Sequence, residues 1–221
     1  MTKSLLKSGL GALALGLALG LPGGVAAAQT GGGQAAETPA QPGPAVKRIR
    51  AFYDALLHSM KNAKTLGVKG RYKTLEPAVD AAFDFETMTK LTVGPDWQSM
   101  PAAGRKALVA AFRRMTIADY AHNFDGYEGE DFTVDPNVRD HGGDEIVSSK
   151  MTMPGKDAIP FVYRMRKTAD GDWKIIDIYL NGYVSEVATR RADFASTLKS
   201  GGASALAQKL NTISDNELSG K

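Results

Sequence analysis

The chain contains 221 residues, carries a formal net charge of +3 and has no cysteine. The absence of cysteine excludes disulfide bonds and thiolate metal sites, so core burial alone must hold the fold together. Lysine and arginine are spread along the chain rather than clustered, which is not typical of a nucleic-acid-binding protein. We therefore expect no nucleic-acid partner.

Residues 1–28 have the pattern of a secretory signal peptide. Lys3 and Lys7 precede an uncharged run at 9–21, which is too short for a membrane span. Small residues that end at Ala28 offer a cleavage site. We expect the leader to be removed near Ala28 and the mature protein to be free and soluble outside the cytoplasm.

The mature chain divides into three parts by composition. Residues 29–44 are rich in Gly, Pro and Gln and lack any apolar period, which predicts a flexible linker. Residues 45–211 carry the apolar periodicity and are expected to form a single domain. Residues 212–221 are expected to form a flexible tail.

Helical periodicity dominates the first half of the domain. Apolar residues recur at helical spacing after Pro44, Thr74 and Phe85, and again in a long helix from Pro101 to about Phe124. The predicted core face of this long helix consists of Leu108, Ala111, Phe112, Met115 and Ala118.

Four strands are predicted in the second half. Three of them contain the alternating apolar residues around Phe132, Val147 and Phe161, and the fourth is the β-branched and aromatic run at 173–180. Pro136 confines the first strand to a sheet edge or a bulge, because proline cannot donate a ladder hydrogen bond.

Two helices at about 185–199 and 203–211 complete the pattern. Helices, then an antiparallel meander, then helices predict an α+β fold with helices packed on a curled four-stranded antiparallel sheet. Strict alternation places Ile175 and Ile178 on opposite faces of the fourth strand, so both faces are apolar. We expect helices to cover one face and the contents of a concave sheet to cover the other.

Three side chains are candidates for general acid–base catalysis. Asp119 and His122 share the apolar sector of the long helix, although both also suit a last turn that reaches water. Asp177 lies in the fourth strand among apolar residues and needs a partner such as an arginine. Asp84 is predicted instead to cap the helix that follows it. No phosphate loop, serine elbow or histidine metal spacing accompanies these residues, so no cofactor or metal is expected.

Adaptable apolar side chains are the stronger signal. Methionine fits irregular apolar volumes and is favoured where a surface accommodates variable partners. An ordinary core explains any single methionine, but the whole set, beside a strand that is apolar on both faces, favours an interior that holds a guest molecule. The set comprises Met88, Met115, Met151, Met153, Met165, Phe112, Phe132, Phe161 and Tyr163.

A series of short motifs spans the domain in a characteristic order. It runs through Tyr53-Asp54-Ala55-Leu56, Phe83-Asp84-Phe85, Gly94-Pro95-x-Trp97, Phe124-Asp125-Gly126-Tyr127, Trp173-Lys174-Ile175-Ile176-Asp177-Ile178 and Gly182-Tyr183-Val184-Ser185. The series covers essentially all of 45–210 and resembles the MlaC or toluene-tolerance family of exported lipid carriers. Gly-Arg-Tyr at 70–72 and Leu-x-Val-Gly-Pro at 91–95 are similar to its hopanoid-associated HpnM branch.

The resemblance implies a cone-shaped fold like that of nuclear transport factor two, with a cavity that holds lipid and with no catalysis. It implies a periplasmic carrier, expected to be a monomer, that shuttles a phospholipid or hopanoid-type lipid between outer-membrane and inner-membrane complexes. Alternation and helical period select the residues expected to line the lipid site. They are Met88, Leu91, Trp97, Leu108, Phe112, Met115, Phe132, Val134, Val147, Met151, Phe161, Tyr163, Met165, Ile176, Ile178 and Leu180.

Two alternatives stay open at the level of the sequence. The first is a small cone-fold enzyme, such as an isomerase or dehydratase, that acts on an apolar substrate through an inward acid at Asp119, His122 or Asp177. The second is an envelope scaffold with a solid core that binds no lipid. A carboxylate that points into the interior would favour the enzyme, whereas a cap or an ion pair would not.

Overall fold

A computed structural model describes residues 41–220. The helices are α1 (Pro44–Lys61), α2 (Ala63–Ala82), α3 (Phe85–Val93), α4 (Ala102–Asn123) and α5 (Glu186–Leu218), with a 3-10 helix at Gly94–Trp97. The strands are β1 (Asp131–His141), β2 (Asp144–Met153), β3 (Lys156–Lys167), β4 (Trp173–Leu180) and β5 (Val184–Ser185). The predicted signal peptide and the linker as far as residue 40 lie outside the described residues. Within 41–220, no helix combines the length and apolarity needed to cross a membrane.

The sheet is open and antiparallel, with its strands in the order β1-β2-β3-β4-β5. The α+β prediction is confirmed, but the prediction of four strands is wrong because β5 adds a fifth. Asn181 (φ 53°) and Gly182 (φ 81°) turn the chain back after β4, so that two residues pair with its end. A strand of two residues is too short to produce an alternating pattern in the sequence.

Strand β1 lies at the edge of the sheet, as Pro136 predicts. Its pairing with β2 shifts register between Val134 and Val138, the interval that contains Pro136. An edge position and an irregular register both avoid the ladder hydrogen bond that proline cannot donate. The edge prediction and the bulge prediction are therefore both confirmed.

A bulge in β4 changes which of its residues face the helices. Tyr163 pairs with Ile178 and Met165 pairs with Ile175, so Ile176 is the extra residue on β4. Directly opposed residues share a face, which places Ile175 and Ile178 together. The prediction that they lie on opposite faces is wrong, because strict alternation cannot anticipate an inserted residue.

Glycine breaks divide α2 and α5 into segments. The break in α2 lies at Gly67 (φ 60°), and the helix includes the residues from Ala63 that the sequence left outside it. The break in α5 lies at Gly202 (φ 62°), between the two helices predicted there. The second part of α5 continues to Leu218 with Ser214 buried, so residues 212–218 are helical rather than a flexible tail.

The second part of α5 is held to α4. Arg114 of α4 donates to the carbonyl oxygen of Asn211 at 3.2 Å and pairs with Asp215 at 2.6 Å. Residues 212–221 are mostly polar, which is why the sequence predicts a flexible tail. The hydrogen bonds and ion pair with Arg114 hold this part of α5 against α4 even though it has no strong apolar period. Packing against α4 therefore explains why the tail is ordered.

One face of the sheet, here called the inner face, bears Val147, Tyr163 and Ile178. Helix α1 contacts β1, β2 and β4, helix α3 contacts β4, and the buried side chains of α4 belong to the same apolar cluster as this face. All five residues predicted for the core face of α4 are buried. Phe85 at the start of α3 contacts Phe112 of α4 edge-on, with 6.3 Å between ring centroids. The inner face therefore lies beneath a layer of helices whose aromatic side chains interlock.

Candidate functional site

The strands present rows of side chains across the inner face. Phe132 pairs with Met151 and Val134 with Ser149, while Val147 pairs with Tyr163. The predicted strand residues on this face are buried or packed against the buried cluster. The buried ones are Val134, Val147, Met151, Tyr163, Met165 and Ile178, and the partly buried ones are Phe132, Phe161 and Leu180.

The predicted helical residues face the same interior. Those buried in the cluster are Met88, Trp97, Leu108, Phe112 and Met115, and Leu91 packs against it. Ile176 is the exception, since it is buried but lies outside this cluster. The structure therefore brings all of the predicted lining except Ile176 into one continuous apolar interior. Whether these side chains contact lipid stays a prediction.

Three hydroxyl groups form a network within this interior that the sequence analysis missed. The Tyr53 hydroxyl of α1 lies 2.7 Å from the Ser149 hydroxyl of β2 and 2.8 Å from the Tyr163 hydroxyl of β3. Burial raises the pKa of Tyr53 to about 12 and raises the pKa of Tyr163 well above its usual value, so both stay neutral. Ser149 is a polar residue between Val147 and Met151 on the inner face. Its position in the sequence was the one sign that a buried polar contact is present there.

A cleft of about 410 Å³ opens between α1 and β1. The α1 residues that line it are Arg50, Tyr53, Asp54 and Leu57, spaced as one helical face. The β1 residues that line it are Asp131, Phe132, Thr133 and Val134. The rings of Tyr53 and Phe132 stack with 4.3 Å between centroids. Tyr53 therefore both lines the cleft and reaches the buried hydroxyl network.

Asp177 has a structural role. Its carboxylate accepts hydrogen bonds from the backbone N–H of Ile178 at 2.8 Å and of Val187 at 3.1 Å, and from the Ser185 hydroxyl at 2.6 Å. Val187 lies in the first turn of α5, where unpaired N–H groups favour a carboxylate. The expected arginine partner is therefore wrong, and Asp177 serves as a cap for α5.

Asp84 caps a helix as well. Its carboxylate accepts hydrogen bonds from the N–H of Thr87 at 2.9 Å and from the Thr87 hydroxyl at 2.7 Å. Residue Thr87 is the third residue of α3, the position at which an N-cap side chain accepts its hydrogen bond. The capping prediction is confirmed.

Asp119 points toward α5. Arg190 bridges Asp119 at 3.0 Å and Glu186 at 2.7 Å, and Glu217 approaches the Asp119 carboxyl from the other end of α5. His122 is half-buried in the last turn of α4, and no hydrogen bond joins it to Asp119 among the contacts of residues 41–220. These side chains therefore do not form the acid–base pair of the enzyme alternative.

Glu145 is an inner-face carboxyl that the sequence analysis did not select. Glu145 is the second residue of β2 and pairs with Met165 of β3. Its Oε2 atom is inaccessible to solvent and has no hydrogen-bond partner among the described residues. Burial and the nearby Asp140 raise the pKa of Glu145. Its position beside the Gly142–Gly143 turn places it at the end of the sheet, away from the cleft between α1 and β1.

Replacing Glu217 with glutamine is expected to flatten the dependence of folding stability on pH. Burial and the neighbouring Asp119 raise the pKa of Glu217 from 4.5 to about 9. Between these values the folded chain holds one proton more than the unfolded chain, so stability falls as pH rises, by at most about 1.4 kcal/mol per pH unit. The half-buried position of Glu217 makes the slope shallower. Thermal unfolding from pH 5 to 9 measures the effect.

The control for this experiment is Asp170→Asn in the exposed turn before β4. It should retain the slope of the parent protein, whereas Glu217→Gln should lose most of it and unfold at a higher temperature at pH 8. Parallel pH profiles for the parent and Glu217→Gln would show that Glu217 is ionised in the folded protein.

Within residues 41–220, no group of three or more His, Asp or Glu side chains is arranged to hold a metal ion. The interior is apolar and contains the Tyr53–Ser149–Tyr163 hydroxyl network. The cleft between α1 and β1, which bears charged side chains, lies at its margin.

Comparison with known proteins agrees with this architecture. The phospholipid-binding protein from Ralstonia solanacearum, solved in complex with a phospholipid, superimposes with a TM-score of 0.68 at 20% sequence identity. The match covers 79% of this chain and 99% of that chain, so the two share a fold. No curated protein sequence matches the chain significantly. The family model described as MlaC protein matches residues 50–212. The chain therefore belongs to the MlaC protein family.

Proposed function

We propose that this protein is a non-catalytic lipid carrier, which holds the acyl chains of a phospholipid between the inner face of the sheet and helices α1, α3 and α4. The observation that carries the proposal is the single apolar interior, in which Met88, Met115, Met151 and Met165 are all buried. Methionine side chains repack around irregular apolar ligands at low cost. The phospholipid of the Ralstonia solanacearum protein gives the ligand class.

Lipid uptake in this proposal requires the interior to open. A methylene group occupies about the volume of a water molecule, roughly 30 Å³, so two chains of about 16 carbons need on the order of 900 Å³. The cleft between α1 and β1 has about 410 Å³, which suits a headgroup but not two chains. We propose that α1 moves away from β1, parts the Tyr53–Phe132 stack and admits the chains.

The free energy of burying the chains can offset this opening. Each methylene that leaves water contributes about 0.8 kcal/mol, so a chain of about 16 carbons contributes roughly 12 kcal/mol. Opening breaks the hydrogen bonds of the Tyr53 hydroxyl, each worth about 1 kcal/mol net, and some apolar packing that the lipid then replaces. No covalent chemistry is needed for such a carrier.

The proposal extends to the cellular setting. The predicted signal peptide would deliver the protein to the periplasm, where a monomer would move lipid between inner-membrane and outer-membrane complexes. The open form would then resemble the cone of nuclear transport factor two, with the chains inside. The Gly-Arg-Tyr motif at 70–72 makes a hopanoid-type lipid the second candidate cargo.

Native mass spectrometry of the mature protein, purified from the periplasm of its own host, tests the proposed function. We expect a bound species whose mass, after extraction, equals that of a two-chain phospholipid. A hopanoid mass would support the carrier and change the cargo. A protein that has its bare mass, and stays bare after incubation with phospholipid vesicles, would refute lipid binding and favour the scaffold or the enzyme.

A further inference from the structure

The cleft between α1 and β1 carries two opposite charges on one helical face. Arg50 and Asp54 are four residues apart on α1, and both side chains are exposed. Residues four apart on a helix have Cβ atoms about 5–6 Å apart. Arg50 and Asp54 therefore lie on the same side of α1, and both line the cleft.

These two charges do not neutralise each other. Among the described residues, no ion pair within 4.0 Å includes either side chain. Arg50 makes a long hydrogen bond, 3.5 Å, to the carbonyl oxygen of Val134 on β1. Both charges therefore remain available to a ligand in the cleft.

Two aromatic residues of the cleft connect it to the apolar interior. The stacked rings of Tyr53 and Phe132 line the same cleft as Arg50 and Asp54, and Phe132 pairs with the buried Met151 on the next strand. A ligand that fits this arrangement has a charged end of both signs and an apolar body that continues toward Met151. A phosphate next to an ammonium group, carried on acyl chains, has this chemistry.

We propose that the cleft seats the headgroup of a zwitterionic phospholipid, with Arg50 on the phosphate and Asp54 on the ammonium group. This inference rests on the proposed function, since it assigns the polar end of the same lipid. Guanidinium groups bind phosphate through two parallel hydrogen bonds, and a carboxylate attracts a neighbouring ammonium. The headgroup of phosphatidylglycerol has no ammonium group, so its phosphate charge would lie beside Asp54 without a compensating cation. The protein therefore selects phosphatidylethanolamine over phosphatidylglycerol.

The test is a competition between two lipids with identical chains. The mature full-length chain is incubated with vesicles of equimolar dioleoyl phosphatidylethanolamine and dioleoyl phosphatidylglycerol, and the bound lipids are quantified by mass spectrometry. Exposed ion pairs are weak, so we expect about a threefold preference for phosphatidylethanolamine at low salt. The preference should shrink at high ionic strength because the charges are screened.

Variants assign the preference to the cleft. Asp54→Asn should reduce the preference, because Asp131 remains as the carboxylate of the cleft, and Asp54→Lys should reverse it. Arg50→Gln should weaken retention of both lipids. Lys47→Gln and Asp96→Asn remove one charge of each sign at exposed positions outside the cleft, and both should keep the parent preference.

The outcomes separate this inference from the proposed function. Equal binding of both lipids by the parent protein, or an unchanged preference in Asp54→Lys, overturns the headgroup assignment but not lipid binding. A parent protein that binds neither lipid overturns the proposed function itself. Soluble phosphoethanolamine should not displace bound lipid at equal concentration. If it does, the cleft binds a free zwitterion rather than a lipid headgroup, and the lipid assignment is wrong.

Discussion

Replacing Met151 with aspartate is expected to abolish phospholipid binding. Met151 is buried on the inner face near the end of β2, between Phe132 on β1 and Ile159 on β3. A carboxylate there lies in the path proposed for the acyl chains, and an unpaired charge in such surroundings costs several kcal/mol. A loss of that size corresponds to more than about 100-fold in affinity. Lipid that copurifies with the purified variant, quantified after extraction, measures the effect.

The neighbouring residue provides a matched control. Lys150 is exposed on the opposite face of β2, so Lys150→Asp changes more charge than Met151→Asp but leaves the interior intact. It should bind as much lipid as the parent protein. Undiminished lipid in Met151→Asp would show that the inner face does not contact the chains.

A second variant covers the case in which Met151→Asp does not fold. Phe161 lies on the same face of β3 but is only partly buried, so an aspartate at this position can keep its carboxylate near water. Phe161→Asp should therefore fold, as judged by circular dichroism and cooperative unfolding, and still lose most of its lipid. A folded Phe161→Asp with parent levels of lipid would contradict the proposed interior.

Replacing Arg71 with methionine is expected to destabilise the protein by about 3 kcal/mol. Arg71 is buried on α2, where its Nε donates to the Ala121 carbonyl oxygen at 2.7 Å and its Nη1 donates to the Ala63 carbonyl oxygen at 3.1 Å. Ala121 lies in the last turn of α4, where carbonyl groups lack helical partners and favour a cation. Methionine would fill the space but leave both oxygens without these donors. A fall of roughly 6–12 °C in the midpoint of thermal unfolding is expected.

The cost of burying a charge acts in the opposite direction. Burial removes water from the Arg71 cation and lowers its pKa, while the nearby Asp125 raises it. We expect the two carbonyl hydrogen bonds to outweigh this cost. Arg71→Lys should lose less stability than Arg71→Met, because a lysine keeps the charge and one donor group. A methionine variant as stable as the parent would show that desolvation of Arg71 cancels its hydrogen bonds.

Local signals in the sequence predicted much of the fold correctly. Residues close together in the chain explain three correct predictions. These are the apolar face of α4, the cap at Asp84 and the edge position of the strand that contains Pro136. Helical period, capping chemistry and the missing N–H of proline act over such short distances. They therefore leave a readable pattern in the chain.

The candidate site was predicted in its composition but not in its arrangement. The sequence selected apolar residues that do share one interior, with Ile176 as the exception. It missed the Tyr53–Ser149–Tyr163 network, whose members lie as many as 110 residues apart. It also assigned an arginine to Asp177, although the partners are backbone groups and Ser185 at the start of α5. A hydrogen bond between residues that are far apart in the chain produces no periodic pattern in the sequence.

The sequence alone therefore predicted the α+β class, the buried face of α4, the alternating apolar residues of β2 and β3, and the apolar character of the interior. Contacts between distant elements produced the fifth strand, the bulge at Ile176, the break at Gly202 with the helix beyond it, and the cleft that Arg50 and Asp54 line together with the Tyr53–Phe132 stack. The two groups of features differ in how far apart in the chain the interacting residues lie. Periodicity records how each element meets water and core, whereas register, bulges and polar partners depend on contacts between elements distant in the chain.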